Sequence, residues 1–521
     1  MTAVGTTIRP GLLGVPSSVD LVVVGLGITG AGVALDAVTR GLSVLAVDAH
    51  DLAFGTSRWS SKLVHGGLRY LAKGQVAVAY ESAVERGLLM DVIAPHLTRA
   101  LPMLIPLGDM VSPVQARVTA AGLEGGDLLR RAARTSATTL PRPRRVSATE
   151  ALALAPGLRG AGLRGGLLSW DGQLEDDARL VVSVARTAAA HGAQVRTRAR
   201  VLSATRSGVR LRDELTGEER QVRTRAVVNA TGVWAAGLAE DVVLRPSRGT
   251  HLVLRAETLP GLRVAVAVPV PGETNRYTFV LPRPDGGFFV GLTDEPAGDA
   301  VPDVPEPSEA EIRFLLEVVG AAFAHPLRRS DVAAAFAGLR PLLAGGDGST
   351  ADLSRRHAVL RSPSGVVSVV GGKLTTYRRM AEDAVDACGL PAGPCRTREL
   401  PLLGAAPRVR LTALDAPTHL VRRYGTEAEQ VLASAREVTG LSDHELLAPV
   451  VTSTPVTLAE LVFGVTHEGA ADVADLLDRR TRVGLVPQDR ARAVPAAERA
   501  LALGRSVTEG ARAVVPGGRP G

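Results

Sequence analysis

The chain has 521 residues, a net charge of +7 and an aromatic content of only 3%. Its basic residues are spread without a basic run or an interleaved aromatic patch, which excludes a dedicated nucleic-acid-binding surface. No uncharged apolar run reaches the roughly eighteen residues of a membrane span, and the two cysteines are too few for a disulfide framework. Composition therefore predicts a soluble enzyme of about three domains with free thiols.

The first recognisable element follows residues 1–18, which lack a signal-peptide pattern and are predicted to be a loose tail. Residues 19–24 are a β-branched apolar run, the sequence GLGITG occupies 25–30, and a helical pattern leads to a second apolar run that ends at Asp48. In this unit Gly25 permits the tight turn, Gly27 admits a pyrophosphate and Gly30 allows close packing. Asp48 is placed to accept from ribose hydroxyls, so the pattern predicts dinucleotide binding.

Residues 54–71, FGTSRWSSKLVHGGLRYL, combine short hydroxyl side chains, a lysine and a glycine pair with apolar residues. Hydroxyl and glycine positions let a chain lie flat against a bulky cofactor and offer short donors to it. A solvated Ser/Gly loop is the alternative, but the interleaved Trp59, Leu63 and Tyr70 are too apolar for a free linker. The segment therefore predicts part of a cofactor site.

Seven further strings follow this segment in order: WDGQLEDDARL (170–180), NATGVW (229–234), RPSRGTHLVL (245–254), FVGLTDEP (289–296), GLRPLL (338–343), LSRRH (353–357) and GGKLTTYRRMA (371–381). Together with residues 54–71 they resemble the FAD-dependent, quinone-linked glycerol-3-phosphate dehydrogenases over about residues 19–385. EGAADVADLLDRRTR (468–482) resembles the helical domain that closes the same family.

The resemblance implies a fold and a reaction. The fold is α/β, a Rossmann-type FAD-binding domain with an antiparallel-sheet substrate domain and a C-terminal α-helical domain. The reaction is the oxidation of sn-glycerol 3-phosphate to dihydroxyacetone phosphate. A hydride passes from C2 to flavin N5, and the electrons then pass to a quinone.

The motif positions also imply the residues that contact FAD. They are Gly25, Gly27, Gly30, Asp48, Thr56, Ser60, Ser61, Lys62, Leu63, His65, Gly66, Gly67, Ala230, Thr231, Gly232, Gly372, Lys373, Leu374 and Thr375.

A phosphate dianion requires cations, and the resemblance supplies them at motif positions. Substrate binding is assigned to Arg69, Tyr70 and Arg355. His251, Arg340 and Lys373 are assigned to catalysis. His251 is the expected base because an unperturbed imidazole has a pKa of about 6.5; the alternative is a half-buried strand histidine with a backbone partner.

The domain boundaries expected from composition and pattern are as follows: 1–18 a flexible tail, 19–241 the FAD-binding domain with an excursion at about 100–156, 242–340 a mainly β substrate domain, 341–395 a return to the FAD-binding domain, 396–515 a helical domain and 516–521 a flexible tail. No metal site is expected, since the His467-Glu468 pair has Ala471 where a zinc motif has a second histidine.

Two other functions stay open at this level. One is a soluble oxidase that passes electrons to oxygen; the other is a catalytically silent flavin-fold binding protein. We expect a cytoplasmic protein in peripheral contact with the inner face of the membrane, where quinone is available. The oligomeric state is open, with a homodimer as one option.

Overall fold

The computed structural model describes residues 8–67, 70–71, 74–239, 241–273, 276–298, 301–344 and 357–513, with only the backbone for 505–513. Its strands, named in chain order, are β1 (Arg9–Pro10), β2 (Leu21–Val24), β3 (Val44–Val47), β4 (Leu63–Val64), β5 (Thr98–Pro106), β6 (Arg144–Val146), β7 (Gly166–Leu174), β8 (Gln194–Thr197), β9 (Ala199–Thr205), β10 (Gly208–Asp213), β11 (Glu219–Arg223), β12 (Ala226–Asn229), β13 (Ser247–Leu254), β14 (Ala265–Pro269), β15 (Tyr277–Pro282), β16 (Phe288–Gly291), β17 (Glu295–Pro296), β18 (Val332–Arg340), β19 (Ala358–Arg361) and β20 (Val367–Val370).

The α-helices of the same residues are α1 (Ile28–Thr39), α2 (Val76–Leu88), α3 (Pro113–Ala132), α4 (Ala148–Leu154), α5 (Asp177–Ala190), α6 (Glu309–Gly320), α7 (Tyr377–Cys388), α8 (Arg408–Thr412), α9 (Thr418–Tyr424), α10 (Ala428–Thr439), α11 (Asp443–Leu447), α12 (Leu458–Glu468) and α13 (Pro487–Ala513). None of the helices in these ranges combines the length and apolarity that crossing a bilayer requires.

The first sheet has the order β1-β8-β3-β2-β12-β20-β19, and its neighbours are parallel except for β19 and β20. Every residue of β2, β3, β12 and β20 is buried. A parallel sheet covered on both faces needs such continuous apolar runs. Helices α1, α5 and α7 contribute to the core on one face.

The second large sheet has the order β17-β13-β16-β15-β14-β5-β7-β4, with β18 beside β13 and β6 beside β7. Its pairs are antiparallel except for β5 and β14. The sequence placed this sheet within 242–340, yet β4 to β7 come from residues 63–174. The stretch read as an excursion is therefore partly a sheet component, which local sequence cannot reveal because β5 pairs with distant strands.

Helices α9 to α13 surround a separate core, so the predicted fold class, including its helical domain, is confirmed. Within the string 468–482, residues 473–474 are α-helical and Asp475–Arg480 form a π-helical turn.

The prediction of a loose tail is wrong for residues 8–18, because β1 extends the first sheet beside β8 and the side chains of Leu12 and Val15 are buried. Residues 516–521 lie outside the described part of the chain.

Candidate active site

A cavity of about 1220 Å³ runs between the two large sheets. One end is the turn after β2, where the carboxyl ends of the parallel strands meet. The other end is the surface of the second sheet that carries His251 and Arg340. Crevices at the carboxyl ends of such strands are the usual ligand sites of open α/β sheets, so this cavity is the candidate active site.

The glycine turn is fixed by close contacts of the backbone. A Cβ atom on Gly25, whose φ is +98°, would lie 2.6 Å from the carbonyl oxygen of Ala230. A Cβ atom on Gly30 would lie 1.8 Å from the carbonyl oxygen of Gly25. Gly25 and Gly27 both line the cavity, but Gly27 differs because its Cβ would meet only the Ser57 hydroxyl, at 3.0 Å. Gly25 and Gly30 therefore serve packing, whereas Gly27 keeps space open for a ligand.

Asp48 follows β3 and lines the same end of the cavity. Its Oδ2 accepts from the backbone N–H of Leu26 at 2.7 Å, and its Oδ1 accepts from that of His50 at 2.8 Å. Burial raises its pKa despite these two bonds. The bonds hold the carboxylate beside the glycine turn, where ribose hydroxyls of a dinucleotide would lie.

The segment 54–71 forms much of the cavity wall. The predicted contacts that line the cavity here are Thr56, Ser60, Ser61, Leu63, His65 and Gly67. Two hydrogen bonds connect the segment to the rest of the chain. The Thr56 hydroxyl donates to the Leu339 carbonyl at 2.6 Å, and the His65 N–H donates to the Thr375 hydroxyl at 3.2 Å.

Two predicted contacts in this segment face elsewhere. The Lys62 ammonium is buried and donates to Asp177 at 3.1 Å and to the carbonyls of Arg58 and Ser60. Burial lowers its pKa to about 8, against the attraction of Asp177. Gly66 packs on Arg86, and its N–H donates to Asp171 at 3.2 Å. Neither residue lines the cavity.

The remaining predicted cofactor contacts come from two turns on the first sheet. They are Ala230, Thr231 and Gly232 after β12, and Gly372, Lys373, Leu374 and Thr375 after β20, and all of them line the cavity. Because β12 and β20 are parallel neighbours, their carboxyl ends bring both turns to one edge.

His251 is 1% exposed on β13, and its Nε2 lies 2.8 Å from the Ser61 hydroxyl. Burial, followed by the charges of Lys62 and Arg340, lowers its pKa to about 3. His251 therefore differs from the unperturbed imidazole assumed in the sequence analysis, because burial and two neighbouring cations favour its neutral form. Phe336 stacks on its ring with centroids 4.9 Å apart, which fixes the ring plane.

Arg340 ends β18 and lines the cavity. Its Nη1 donates to the Ser247 hydroxyl at 3.0 Å and to Asp294 at 3.1 Å, and its Nη2 donates to the Thr293 carbonyl at 3.0 Å. These bonds fix the plane of the guanidinium at the cavity wall. A fixed planar cation suits the recognition of a phosphate or an oxyanion.

Lys373 also lines the cavity, where its ammonium donates to the Ser82 hydroxyl at 2.8 Å and lies 3.9 Å from the Tyr70 ring centroid. Tyr70 is a cavity-lining residue as well, so the structure brings together four of the six predicted substrate-site residues. Arg69 and Arg355 lie outside the described residues.

Sequence reasoning missed the residues that hold these groups in place. Asp171 and Asp177 lie in the string 170–180, but their partners are distant in sequence. Ser57 was visible as a hydroxyl in the segment 54–71, and it accepts from the N–H of Ile28 at 2.9 Å. Ser82 and Asp294 carried no role in the sequence analysis, and only the structure brings them to Lys373 and Arg340.

The parallel sheet with its glycine turn, the mixed sheet and the shared cavity define a flavin-dependent oxidoreductase of the two-domain type. Residues 20–378 match the model of the FAD dependent oxidoreductase family, and 395–505 match the C-terminal domain of alpha-glycerophosphate oxidase. Glycerol-3-phosphate dehydrogenase 1 of Mycobacterium tuberculosis is 51% identical over 93% of this chain and 95% of that protein. The chain therefore belongs to the FAD-dependent glycerol-3-phosphate dehydrogenase family.

Two further relatives agree. The mitochondrial glycerol-3-phosphate dehydrogenase of Arabidopsis thaliana is 35% identical over 91% of this chain and 80% of that protein. The structure of a glycerol-3-phosphate dehydrogenase from Bacillus halodurans, complexed with FAD, superposes with a TM-score of 0.70 at 28% identity and covers 97% of each chain.

FAD is the cofactor of this family, and the cavity of this chain fits it. A side chain on Gly27 would intrude where the pyrophosphate needs space. Two buried ring nitrogens of the wall, Trp59 Nε1 and His251 Nδ1, have no hydrogen-bond partner among the described residues. Such atoms normally have partners, and a bound ligand is a source of them.

Proposed function

We propose that this protein oxidises sn-glycerol 3-phosphate to dihydroxyacetone phosphate and passes the electrons to a quinone. The observation that carries the proposal is the joint presence of His251, Arg340 and Lys373 on a cavity that begins at the glycine turn. FAD, when bound, supplies the acceptor for the C2 hydride. The protein must then bind the phosphate, orient C2 and remove the hydroxyl proton.

Arg340 and Lys373 perform the first two tasks in this proposal. Both are cations whose positions are fixed by hydroxyl, carboxylate or carbonyl partners, so little ordering is needed when a dianion binds. Arg340 forms an ion pair with Asp294, and this carboxylate offsets part of the positive charge of Arg340 when no substrate is bound. When a phosphate binds or an oxyanion develops, the guanidinium of Arg340 stabilises that negative charge.

Proton removal involves Ser61 and His251. The imidazole is nearly inaccessible, whereas the half-buried Ser61 lines the cavity and its hydroxyl contacts Nε2. The substrate hydroxyl donates its proton to Ser61 as Ser61 donates its own to His251, so the hydroxyl proton is balanced by a proton gained at the imidazole. With the C2 hydride accepted by FAD, a carbonyl would form at C2. A bound phosphate dianion opposes the effect of Lys62 and Arg340 and raises the pKa of His251 from its low value.

The Arg340→Gln variant should lower kcat/KM for glycerol 3-phosphate by about 30- to 100-fold, because one charge-assisted contact contributes about 2–3 kcal/mol. Glycerol, which lacks the phosphate, should be a poor substrate of the wild type, and the variant should narrow the ratio between the two substrates. Steady-state kinetics with both substrates measure this. The exposed Arg329, paired with Glu309, provides the control variant Arg329→Gln. Equal turnover of glycerol and its phosphate by the wild type would refute the proposed substrate.

The quinone part of the proposal is supported by the surface of α3. Val114, Val118 and Leu128 are more than 60% exposed and lie on one helical face, and Val118 also lines the cavity. Arg117 and Arg131 on the same helix are exposed. An apolar helical face with flanking cations suits the interface of an anionic bilayer, where quinone dissolves.

Replacing Val114 and Leu128 together with serine should weaken co-sedimentation with anionic vesicles by about tenfold or more, since each side chain contributes about 1.5–3 kcal/mol when buried and neither lines the cavity. Anaerobic flavin reduction in solution should be unchanged. The control replaces Leu215, which is 57% exposed elsewhere. Fractionation wholly with cytosol, together with rapid reoxidation of the reduced flavin by air, would favour the oxidase alternative.

A further inference from the structure

We propose that three arginines of the helical domain, Arg479, Arg480 and Arg482, act as positioning residues for FAD by fixing the loop that forms the cofactor wall. We call them the arginine clamp, and we call residues 51–61 the cofactor loop. The proposal concerns the affinity for FAD and does not depend on which substrate is oxidised.

The first contact of the clamp is to Asp51, three residues after the proposed ribose ligand. Arg480 donates to both carboxylate oxygens of Asp51, at 2.8 and 2.9 Å, and Arg479 donates to Oδ2 at 2.7 Å. Asp51 and Arg480 are fully buried. Burial alone would raise the pKa of Asp51, but the charges and hydrogen bonds of Arg480 and Arg479 lower it well below its usual range. The Asp51 carboxylate, at the start of the loop, is therefore ionised and is held in place by two arginines.

The second contact is to the middle of the loop. Arg482 donates to the carbonyl oxygen of Arg58 at 2.6 Å, and its guanidinium carbon lies 5.1 Å from the Trp59 ring centroid. The guanidinium carbon of Arg58 lies 4.3 Å from the centroid of the same indole ring and 5.3 Å from the centroid of the Phe54 ring. Hydrogen bonding and cation–π stacking thus hold the middle of the loop in position.

The loop that the clamp contacts lines the cofactor cavity over most of its length. Phe54, Trp59 and the residues between them, apart from Arg58, line the cavity. The hydroxyl of Ser57 accepts from the N–H of Ile28, so the loop also contacts the N-terminus of α1, where the pyrophosphate is expected. A loop that is ordered before FAD arrives loses less conformational entropy on binding, which raises affinity.

The helical domain has other anchors, so a single clamp variant does not release it. Arg179 of α5 makes two hydrogen bonds to Glu468, at 3.0 and 2.5 Å. Arg186 of the same helix makes two to Glu427, at 2.8 and 3.0 Å. The clamp can therefore be altered while the domain stays docked.

Arg482→Gln is the principal test, because its loop partner is a neutral carbonyl and no loop carboxylate loses a hydrogen-bonded cation. A second variant combines Arg480→Gln with Asp51→Asn, which removes both members of the buried pair. Arg436→Gln is the control, since Arg436 forms an exposed pair with Asp443 in the same domain. Apoprotein is prepared from each, and FAD affinity and dissociation rate are measured by flavin fluorescence in the absence of substrate. Thermal unfolding of each apoprotein is recorded in parallel.

We expect Arg482→Gln and the double variant to weaken FAD binding by about tenfold or more, mainly through faster dissociation. Arg482→Lys, which keeps a donor but loses the planar stack, should fall between wild type and Arg482→Gln. The control should bind FAD as the wild type does. Wild-type FAD affinity and dissociation in Arg482→Gln would overturn the proposal, whatever happens to apoprotein stability. A wild-type protein that binds FAD but ignores glycerol 3-phosphate would instead refute the proposed function and leave the clamp intact.

Discussion

Gly27→Val should give a folded but colourless protein. The Cβ of the valine would lie 3.0 Å from the Ser57 hydroxyl, and its side chain would fill space at the N-terminus of α1. Backbone N–H groups could then no longer approach a pyrophosphate. Absorbance in the flavin bands of the purified protein measures the bound FAD, and circular dichroism establishes that the fold persists.

The control is Gly108→Val. Gly108 has no atom within 4 Å of its Cβ position and does not line the cavity, so this variant should keep its flavin. Gly30 is unsuitable for the same comparison, because its Cβ would clash with the Gly25 carbonyl and the helix itself would shift. Full flavin content in Gly27→Val would show that the pyrophosphate lies elsewhere.

His251→Ala should slow anaerobic flavin reduction by about a hundredfold or more while FAD stays bound, because general base catalysis typically contributes about 10²–10⁴. Stopped-flow absorbance with glycerol 3-phosphate measures the rate. Ser61→Ala should produce a loss of the same kind, since it breaks the contact with Nε2. Ser61→Thr keeps a hydroxyl and should recover part of the rate.

The pH dependence expected for the rate of flavin reduction follows from the low pKa of His251. A base must be neutral to accept a proton, and burial, Lys62 and Arg340 lower the pKa of His251 to about 3. His251 therefore stays neutral as the pH falls from 8 to 5, and it should add no acidic limb near 6.5 to the reduction rate. A limb near 6 that persists in His251→Ala belongs to the substrate phosphate, whose second pKa is about 6.

One result would oppose the assignment of His251 as the base, and another would oppose only its low pKa. A His251→Ala variant that reduces its flavin at the wild-type rate would show that the histidine is structural, packed on Phe336. A wild-type acidic limb near 6.5 that disappears in the variant would show that the imidazole titrates normally and that the bound dianion raises its pKa fully. The exposed His191 provides the control variant His191→Ala.

The dinucleotide-binding unit could be predicted from the sequence alone, because its constraints are local. Gly25 needs a positive φ, Gly30 needs contact with the turn just before it, and Asp48 closes the next strand. These requirements act within about thirty residues and leave a readable spacing. The ordered strings added the family and with it the cavity-lining residues at the ends of β12 and β20.

The contacts between residues distant in sequence could be learned only from the folded chain. Lys62 was expected at the cofactor but pairs with Asp177, and His251 was expected to titrate near neutrality but is buried beside two cations.

The mixed sheet recruits β5 and β7, and the clamp brings residues 479–482 to a loop more than 400 positions earlier. Burial and charge pairing depend on distances between segments that are remote in sequence. No local pattern encodes those distances, and the folded chain sets them.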